Sequence, residues 1–337
     1  SGCPSIPDRP APVRYPVRLR PLAALSAAAV SAVLLAGCSG SGDADATPSA
    51  SADASTCIVD AAPGADSDAV SVDGTAPDLT VSVPDGLAFS EVQRTVLSEG
   101  DGEVLGAGSL VSASYQVLDG ATGEVLLDST DTSATDDGLV PLLIDASQPS
   151  MWAVAADCNP LGSTVVLTVP GSAIGDDTSN YVVVAHTDAD LPRTATGTPQ
   201  EPQAGLPTVT LAEDGTPTIT IPDTAAPTDL QIEVLKRGDG PEVADGDQVT
   251  VQYAGVSWDT KEEFDSSWSR GAPSAFTTTG VYEGFGAALV GQTVGSQVLV
   301  VMPPSMGDLS GSLKDQTLTF VIDILGTQHG VAPAAGR

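Results

Sequence analysis

Hydrophobic and polar residues alternate along most of this chain, in short runs separated by Gly, Pro and Asp. Alternation of this kind predicts half-buried β-strands bounded by turns. The clearest run places Val249, Val251 and Tyr253 on one face of a strand and Thr250 and Gln252 on the other. A helical pattern stands out only over residues 282–291. The chain is therefore predicted to consist mainly of short strands.

The same pattern occurs twice, at a constant spacing along the chain. Residues 94–115 align without gaps on residues 232–253, so that Tyr115 falls on Tyr253. The strands that precede these stretches also agree, reading TVSVPD in the first copy and TITIPD in the second. The repeat predicts two tandem units, residues 57–190 (the first unit) and residues 208–327 (the second unit).

The alignment continues after Tyr115 if one gap is introduced. Leu127-Asp128-Ser129 then falls on Phe264-Asp265-Ser266, and Trp152 falls on Phe285. Residues 191–207, rich in Pro, Gly and Thr and without periodicity, are predicted to form a linker between the units. Residues 328–337 are predicted to be a tail.

The first residues have the composition of an export signal. Arg14, Arg18 and Arg20 precede an apolar run over residues 22–37, and the segment ends Leu35-Ala36-Gly37-Cys38. A basic segment, a short apolar run and small residues are typical of a signal peptide. The last four residues resemble a bacterial lipobox, which predicts a lipid-modified Cys38; the alternative is a chance cysteine in an ordinary signal peptide. Residues 1–37 are then leader, and residues 38–56 a disordered tether.

Composition excludes one class of partner. The chain of 337 residues has 44 acidic and 12 basic residues and a net charge of −32. Because a protein this acidic repels phosphate backbones, nucleic acid is not an expected partner. With an export signal, an extracytoplasmic location anchored to the cell membrane is expected. In that oxidising compartment Cys57 and Cys158 remain after Cys3 is removed and Cys38 is acylated, and they are predicted to form a disulfide.

Several ordered motifs in the second unit indicate function. EEFDSS is followed by Val281, Tyr282, Gly284 and Phe285, then by VGSQVLVVMPP and by LTFVIDIL. In this order they resemble the FKBP-type peptidyl-prolyl cis-trans isomerases, over roughly residues 230–325. The resemblance implies an α+β fold in each unit, with an antiparallel sheet curled around a short helix. It also implies binding of proline-containing segments of exported polypeptides, without a metal or cofactor.

The resemblance also implies a catalytic pocket. Phe264, Phe285 and Phe320 would surround the proline ring, Tyr253 and Asp265 would form a polar edge, and the Tyr282 N–H would bind a substrate carbonyl. Arg270 would pair with Asp265. The alternative for any single aromatic residue is membership of the core of a small barrel. The candidate catalytic residues are Tyr253, Phe264, Asp265, Arg270, Val281, Tyr282, Phe285 and Phe320.

Two departures from the family pattern bear on activity. Asp308 stands near the position where the family usually has a tyrosine, so macrolide binding is expected to be weak. In the first unit, Leu127 and Val183 replace two phenylalanines and no residue matches Arg270, which predicts an inactive pocket. The sequence thus favours an isomerase and folding factor; the alternative is a non-catalytic chaperone or protein-interaction lipoprotein.

Overall fold

The computed structural model describes residues 57–330, apart from residues 88, 176–178 and 309. The predicted leader, the predicted lipidation site Cys38 and the predicted tether lie outside the described residues, as do residues 331–337 of the tail. Within the described ranges, no helix has the length and apolar character that crossing a membrane requires.

Short strands make up most of the first unit, as the alternation of apolar and polar residues predicts. Two short helices accompany them. The elements are α1 (Ala65–Ala69), β1 (Ser71–Thr75), β2 (Asp78–Ser82), β3 (Gln93–Ser98), β4 (Leu110–Asp119), β5 (Val125–Asp128), β6 (Val140–Leu143), α2 (Met151–Ala156), β7 (Thr164–Pro170) and β8 (Asn180–Asp190).

The second unit and the segment before it are built in the same way. The elements are β9 (Thr198–Pro199), β10 (Thr208–Leu211), β11 (Pro217–Thr220), β12 (Gln231–Arg237), β13 (Gln248–Ser257), β14 (Glu263–Ser266), α3 (Ser267–Arg270), β15 (Ser274–Thr277), α4 (Glu283–Leu289), β16 (Gln297–Met302) and β17 (Leu318–Gln328). Strands with a few short helices form the α+β class that the resemblance implies.

Each unit contains one antiparallel sheet, and the two sheets have the same strand order. The first runs β5-β4-β8-β7-β3, with β6 also paired to β4. The second runs β14-β13-β17-β16-β12, with β15 also paired to β13. Helix α4 packs across its sheet, where Phe285 and Leu289 join Val249, Val251 and Tyr253 in one core. The predicted face of β13 is thus the face that is buried against the helix.

A β-hairpin covers the opposite face of each sheet. In the first unit β1–β2 contributes Val72 and Val81 to a cluster with Val182 and Val184 of β8. In the second unit β10–β11 contributes Ile219 to a cluster that contains Val256, Trp258 and Val301. Burial on both faces explains why β13, β16 and β17 are buried along almost their whole length.

The predicted linker is partly ordered by the second sheet. Within it, β9 pairs antiparallel with Lys236 and Arg237 at the edge of β12. The Ala195 N–H also donates a 2.8 Å hydrogen bond to the buried Asp323 carboxylate. The segment therefore extends the second sheet by one strand rather than only spanning the distance between units.

A disulfide joins Cys57 to Cys158, with the two Cα atoms 5.7 Å apart. Beside it, the Ile58 N–H donates a 2.6 Å hydrogen bond to the Asp157 carboxylate. The start of the first unit is thereby held against the end of helix α2.

Candidate functional site

A cavity of about 410 Å³ opens between helix α4 and the concave face of the second sheet. Its size is within the range of small-ligand sites. Of the predicted catalytic residues, Phe264 and Arg270 alone do not line it. The lining residues are Tyr253, Asp265, Phe276, Gly280, Val281, Tyr282, Phe285 and Phe320.

Aromatic rings packed edge to face make the apolar wall of the cavity. The ring centroids of Phe285 and Phe320 are 5.1 Å apart at an interplanar angle of 89°, and Phe285 meets Tyr253 at 5.9 Å and 85°. Phe264 lies outside the lining and packs edge-on against Phe320, at 5.3 Å. Such T-shaped pairs favour a fixed ring geometry, so the wall is a preformed apolar surface.

A network of three side chains forms the polar edge. The Tyr253 hydroxyl donates a 2.6 Å hydrogen bond to Asp265, and the Arg270 guanidinium pairs with the other Asp265 oxygen. Arg270 also donates to the Tyr253 hydroxyl at 2.6 Å, and its guanidinium lies 5.3 Å from the centre of the Tyr253 ring. The network fixes the position of each group without an unpaired buried charge.

The local structure of α3 explains why the Arg270 side chain reaches Asp265, five residues earlier in the chain. Ser266 caps the single turn of α3 by accepting a hydrogen bond from the Ser269 N–H, and Gly271, at φ +78°, ends it in the left-handed conformation. Ser267 begins the turn and donates to the Tyr253 carbonyl while accepting the Tyr253 N–H at 2.8 Å. The turn is thus anchored to β13 directly behind the pocket.

These contacts keep Tyr253 and Arg270 each in one protonation state. Burial, together with the hydrogen bond to Asp265, raises the pKa of Tyr253 to about 12. Burial lowers the pKa of Arg270, but its bonds to Tyr253 and Asp265 outweigh that effect and hold the pKa above its ordinary value. Tyr253 is therefore a neutral hydroxyl donor, and Arg270 a cation, at any physiological pH.

Val281 and Tyr282 close the pocket at the start of helix α4. Tyr282 is the residue before the first helical position, and its carbonyl accepts from the Gly286 N–H at 2.9 Å. No hydrogen bond to any described residue occupies the Tyr282 N–H. This donor is available to a substrate, as the first N–H groups of a helix commonly are. The side chain is 37% exposed at the pocket mouth.

Asp308 follows the Pro303-Pro304 pair and organises its own loop. Its carboxylate accepts hydrogen bonds from the backbone N–H groups of Gly311 at 2.6 Å and Leu313 at 3.1 Å. Burial of Tyr282 is the main cause that raises its pKa, and the nearby negative charge of Asp308 raises that pKa further. A carboxylate engaged in this way supplies no hydroxyl donor to a substrate carbonyl.

Phe276 and Gly280 are pocket residues that the sequence analysis missed. Phe276 lies on β15, opposite Val249, with its ring 6.3 Å from that of Phe285. The sequence carried little signal for Phe276, because Ser274-Ala275-Phe276-Thr277 does not alternate apolar and polar residues and its face is set by the pairing with Val249. The positions of the Phe320 and Phe264 rings also require a glycine at 255, because a Cβ there would lie 2.7 Å from Phe320 and 2.8 Å from Phe264.

As far as Ser129 the first unit aligns on the second without a gap, which corrects the equivalences drawn from sequence. Asp128 pairs with Gln116, as Ser266 pairs with Ala254, and both pairs lie at the original spacing. The Tyr115 N–H likewise donates to Ser129, as the Tyr253 N–H donates to Ser267.

The corrected register changes which residue faces the pocket. Leu127, not Asp128, occupies the position of Asp265, and the exposed Leu126 occupies that of Phe264. The Asp128 carboxylate accepts from Gln116 and Thr130 instead of from Tyr115. A shift of one residue along a strand reverses the face on which each side chain lies, so the predicted alignment of Asp128 with Asp265 was wrong.

Other changes in the first unit follow the prediction. Val183 pairs with Val117 as Phe320 pairs with Gly255, so it does occupy the place of Phe320. Trp152 lies flat on Tyr115, with the ring centroids 4.6 Å apart and the planes 6° from parallel. The edge-to-face arrangement that surrounds the cavity of the second unit is replaced here by a stacked pair.

Comparisons with known proteins agree with the second unit's motifs. A sequence model of the family described as FKBP-type peptidyl-prolyl cis-trans isomerase matches residues 240–325. A probable FK506-binding protein of Corynebacterium glutamicum is 39% identical over 103 residues, which are 29% of this chain and 87% of that protein. An FK506-binding protein of Streptomyces anulatus is 36% identical over 107 residues, 29% of this chain and 86% of the relative. The crystal structure of FkpA from Escherichia coli aligns at 29% identity and a TM-score of 0.28, covering 37% of this chain and 53% of FkpA.

Proposed function

This chain belongs to the FKBP-type peptidyl-prolyl cis-trans isomerases, and we propose that its catalytic centre is the pocket of the second unit and that its substrates are exported polypeptides. The observation that carries the assignment of the centre is the 410 Å³ cavity. It joins an aromatic wall to the network of Tyr253, Asp265 and Arg270.

The aromatic wall accounts for rate enhancement without a nucleophile. Rotation about a prolyl bond has a barrier of about 18–20 kcal/mol, because the C–N bond has partial double-bond character. The planar amide separates charge, with the oxygen negative, and water stabilises that separation; the twisted transition state loses it. Phe276, Phe285 and Phe320 replace water around the amide, so they favour the twisted form relative to the planar one.

The polar groups orient the amide. In our proposal the Tyr282 N–H binds the carbonyl on one side of the prolyl bond, while Asp265, held by Tyr253 and Arg270, faces the twisted amide. The donor precedes α4 and the carboxylate lies on β14, so two separate elements fix the bond between them and reduce the entropy lost on reaching the transition state.

We assign no catalysis to the first unit. Its equivalent positions contain Leu127 in place of a carboxylate and Val183 in place of a phenylalanine, and Trp152 stacks on Tyr115. These substitutions remove the polar edge and one apolar wall. In our proposal the first unit is FKBP-like in strand order but supports binding or spacing only.

The loop at Asp308 favours a second candidate function. Without a hydroxyl donor in this loop, the second pocket would bind prolyl segments but accelerate rotation little, as a chaperone or interaction module does. A prolyl isomerisation assay on a short X-Pro peptide, with the full chain, separates the two. Turnover above the uncatalysed rate supports the isomerase; binding of the peptide without turnover supports the module.

Export and anchoring rest on the sequence before Cys57. Arginines precede an apolar run that ends Leu35-Ala36-Gly37-Cys38, and we propose that the mature protein begins at a lipid-modified Cys38, on the outer face of the cytoplasmic membrane. Mass spectrometry of the mature protein tests this. An unmodified Cys38, or an N-terminus elsewhere, would contradict it.

A further inference from the structure

A second cavity, of about 320 Å³, lies beside the catalytic pocket where the two units meet. One wall is the loop of the second unit from Arg270 to Ser274. The other wall belongs to the first unit, chiefly residues 143–147 after strand β6. We call this cavity the junction groove.

Arg270 separates the junction groove from the catalytic pocket. Its guanidinium bonds to Asp265 and Tyr253, which line the pocket, and donates at 3.3 Å to Ser274, which lines the groove. Strand β15 connects the two cavities in a second way. Ser274 lies in the groove and Phe276 in the pocket, on the same face of one strand, two residues apart.

Contacts within the first unit and between the two units fix the first unit's wall in place. A Cβ on Gly108 would lie 3.4 Å from the Ala272 Cβ, and the Gly108 N–H donates at 2.8 Å to the Ile144 carbonyl. Leu143 packs in an apolar cluster with Leu110 and with Leu325 of the second unit. The groove is therefore bounded by packed structure on both sides.

The surface of the groove suits an extended polypeptide. Small side chains, Ala107, Ala146 and Ala272, leave room for a backbone, and Ser274 offers a hydroxyl group. The Asp145 carboxylate accepts from the Ser147 N–H and hydroxyl through one oxygen, which leaves the other free to accept.

We propose that the junction groove is an extended substrate subsite, which binds the residues of a client polypeptide that continue from the prolyl bond out of the catalytic pocket. The proposal rests on the proposed function of that pocket. It gives the first unit a role in the reaction as a wall of the substrate site, although its own pocket lacks the catalytic groups.

Filling the groove from the first unit tests the proposal. Ala146→Trp places a large side chain in the groove at an exposed position, and Ser147→Trp does so from the next residue. Ala121→Trp is the matched control, because Ala121 is also exposed but follows β4 at the end opposite Leu110, which contacts the second unit. Each full-length variant is assayed with an X-Pro tetrapeptide and with an unstructured peptide of about twelve residues that contains the same core.

The measured quantity is the ratio of kcat/KM for the long peptide to kcat/KM for the tetrapeptide. Both groove variants are expected to lower this ratio about tenfold, through a higher KM for the long peptide, and to weaken its Kd in fluorescence anisotropy by a similar factor. The control is expected to leave both quantities unchanged. An unchanged ratio and Kd in both groove variants would overturn the subsite.

The two proposals fail in different ways. If the wild-type protein does not turn over the tetrapeptide, the isomerase assignment fails, and the anisotropy measurement still decides the groove. If the tetrapeptide is turned over and neither groove variant discriminates against the long peptide, the groove alone fails.

Discussion

Replacing Asp265 by Leu would give the second unit the residue that occupies the same register in the first unit. The substitution removes the acceptor of the 2.6 Å hydrogen bond from the Tyr253 hydroxyl and the partner of the Arg270 guanidinium. It leaves the hydrogen bonds from Arg270 to Tyr253 and Ser274 in place. The change therefore measures the contribution of the carboxylate separately from that of Tyr253 and Arg270.

The expected loss of stability is small. The side chains of Asp265 and Arg270 are 42% and 47% exposed, so solvent screens the pair, and such pairs contribute about 0–1 kcal/mol. The hydrogen bond from the buried Tyr253 adds about 1 kcal/mol. A total of about 1–2 kcal/mol lowers Tm by roughly 2–4 °C in a protein of this size.

The expected loss of activity is larger. A hydrogen bond involving a charged group contributes about 1.5–3 kcal/mol when it acts in the transition state. Since each 1.36 kcal/mol is a factor of ten in rate, kcat/KM should fall about 10- to 100-fold on a Leu-Pro or Phe-Pro peptide. Asp265→Asn keeps an acceptor for Tyr253 and should show an intermediate rate.

Thermal unfolding and the isomerisation assay together decide whether the Asp265 carboxylate has a catalytic role. An Asp265→Leu protein that unfolds within the stated range and retains the wild-type rate would refute the catalytic role of the carboxylate. A protein that loses its fold gives no such conclusion, and the Asn variant, which preserves shape and acceptor, then becomes the test.

Further expectations concern the wall, pH, the first unit and the disulfide. Phe320→Ala should admit water and lower kcat/KM about tenfold, and adding Asp265→Leu should reduce the full chain to the uncatalysed rate if the first unit is inactive. The rate should be flat from pH 6 to 9, because Tyr253 has a pKa of about 12; its hydrogen bond stabilises the fold below about pH 10 and is lost as pH rises through 12. Cys57→Ser or Cys158→Ser should cost about 4–5 kcal/mol of unfolding free energy in the loop-entropy description, given the separation of 101 residues; free thiols in the oxidised, unfolded wild-type protein would contradict the bond.

The strand content and the pocket's main residues could be predicted from sequence because both depend on local patterns. Alternation along Val249, Val251 and Tyr253 identifies one buried face without any knowledge of the neighbouring strands. The order of the FDSS, V-Y-x-G-F and LTF motifs identifies the family, and the structure brings Asp265, Tyr282 and Phe320 to one cavity.

What the sequence did not determine depends on pairing between strands. A gap placed before Leu127 instead of after Ser129 aligned Asp128 with Asp265, and only the pairing of Gln116 and the hydrogen bond of Ser129 located the strand. Phe276 joined the pocket for the same reason, since the pairing of β15 with β13 sets its face. Alternation with a period of two does not say which face of a strand is buried; pairing with a neighbouring strand decides it.

The junction of the two units was likewise decided by tertiary structure alone. Gly108 and Ala272 meet although they are far apart in the chain, and neither residue has a sequence signal that marks a contact. Strand patterns report burial against some neighbour, but they do not say which neighbour, because the hydrophobic effect is non-directional. The sequence therefore determined the side chains of the proposed catalytic pocket, whereas packing between the units determined the groove beside it.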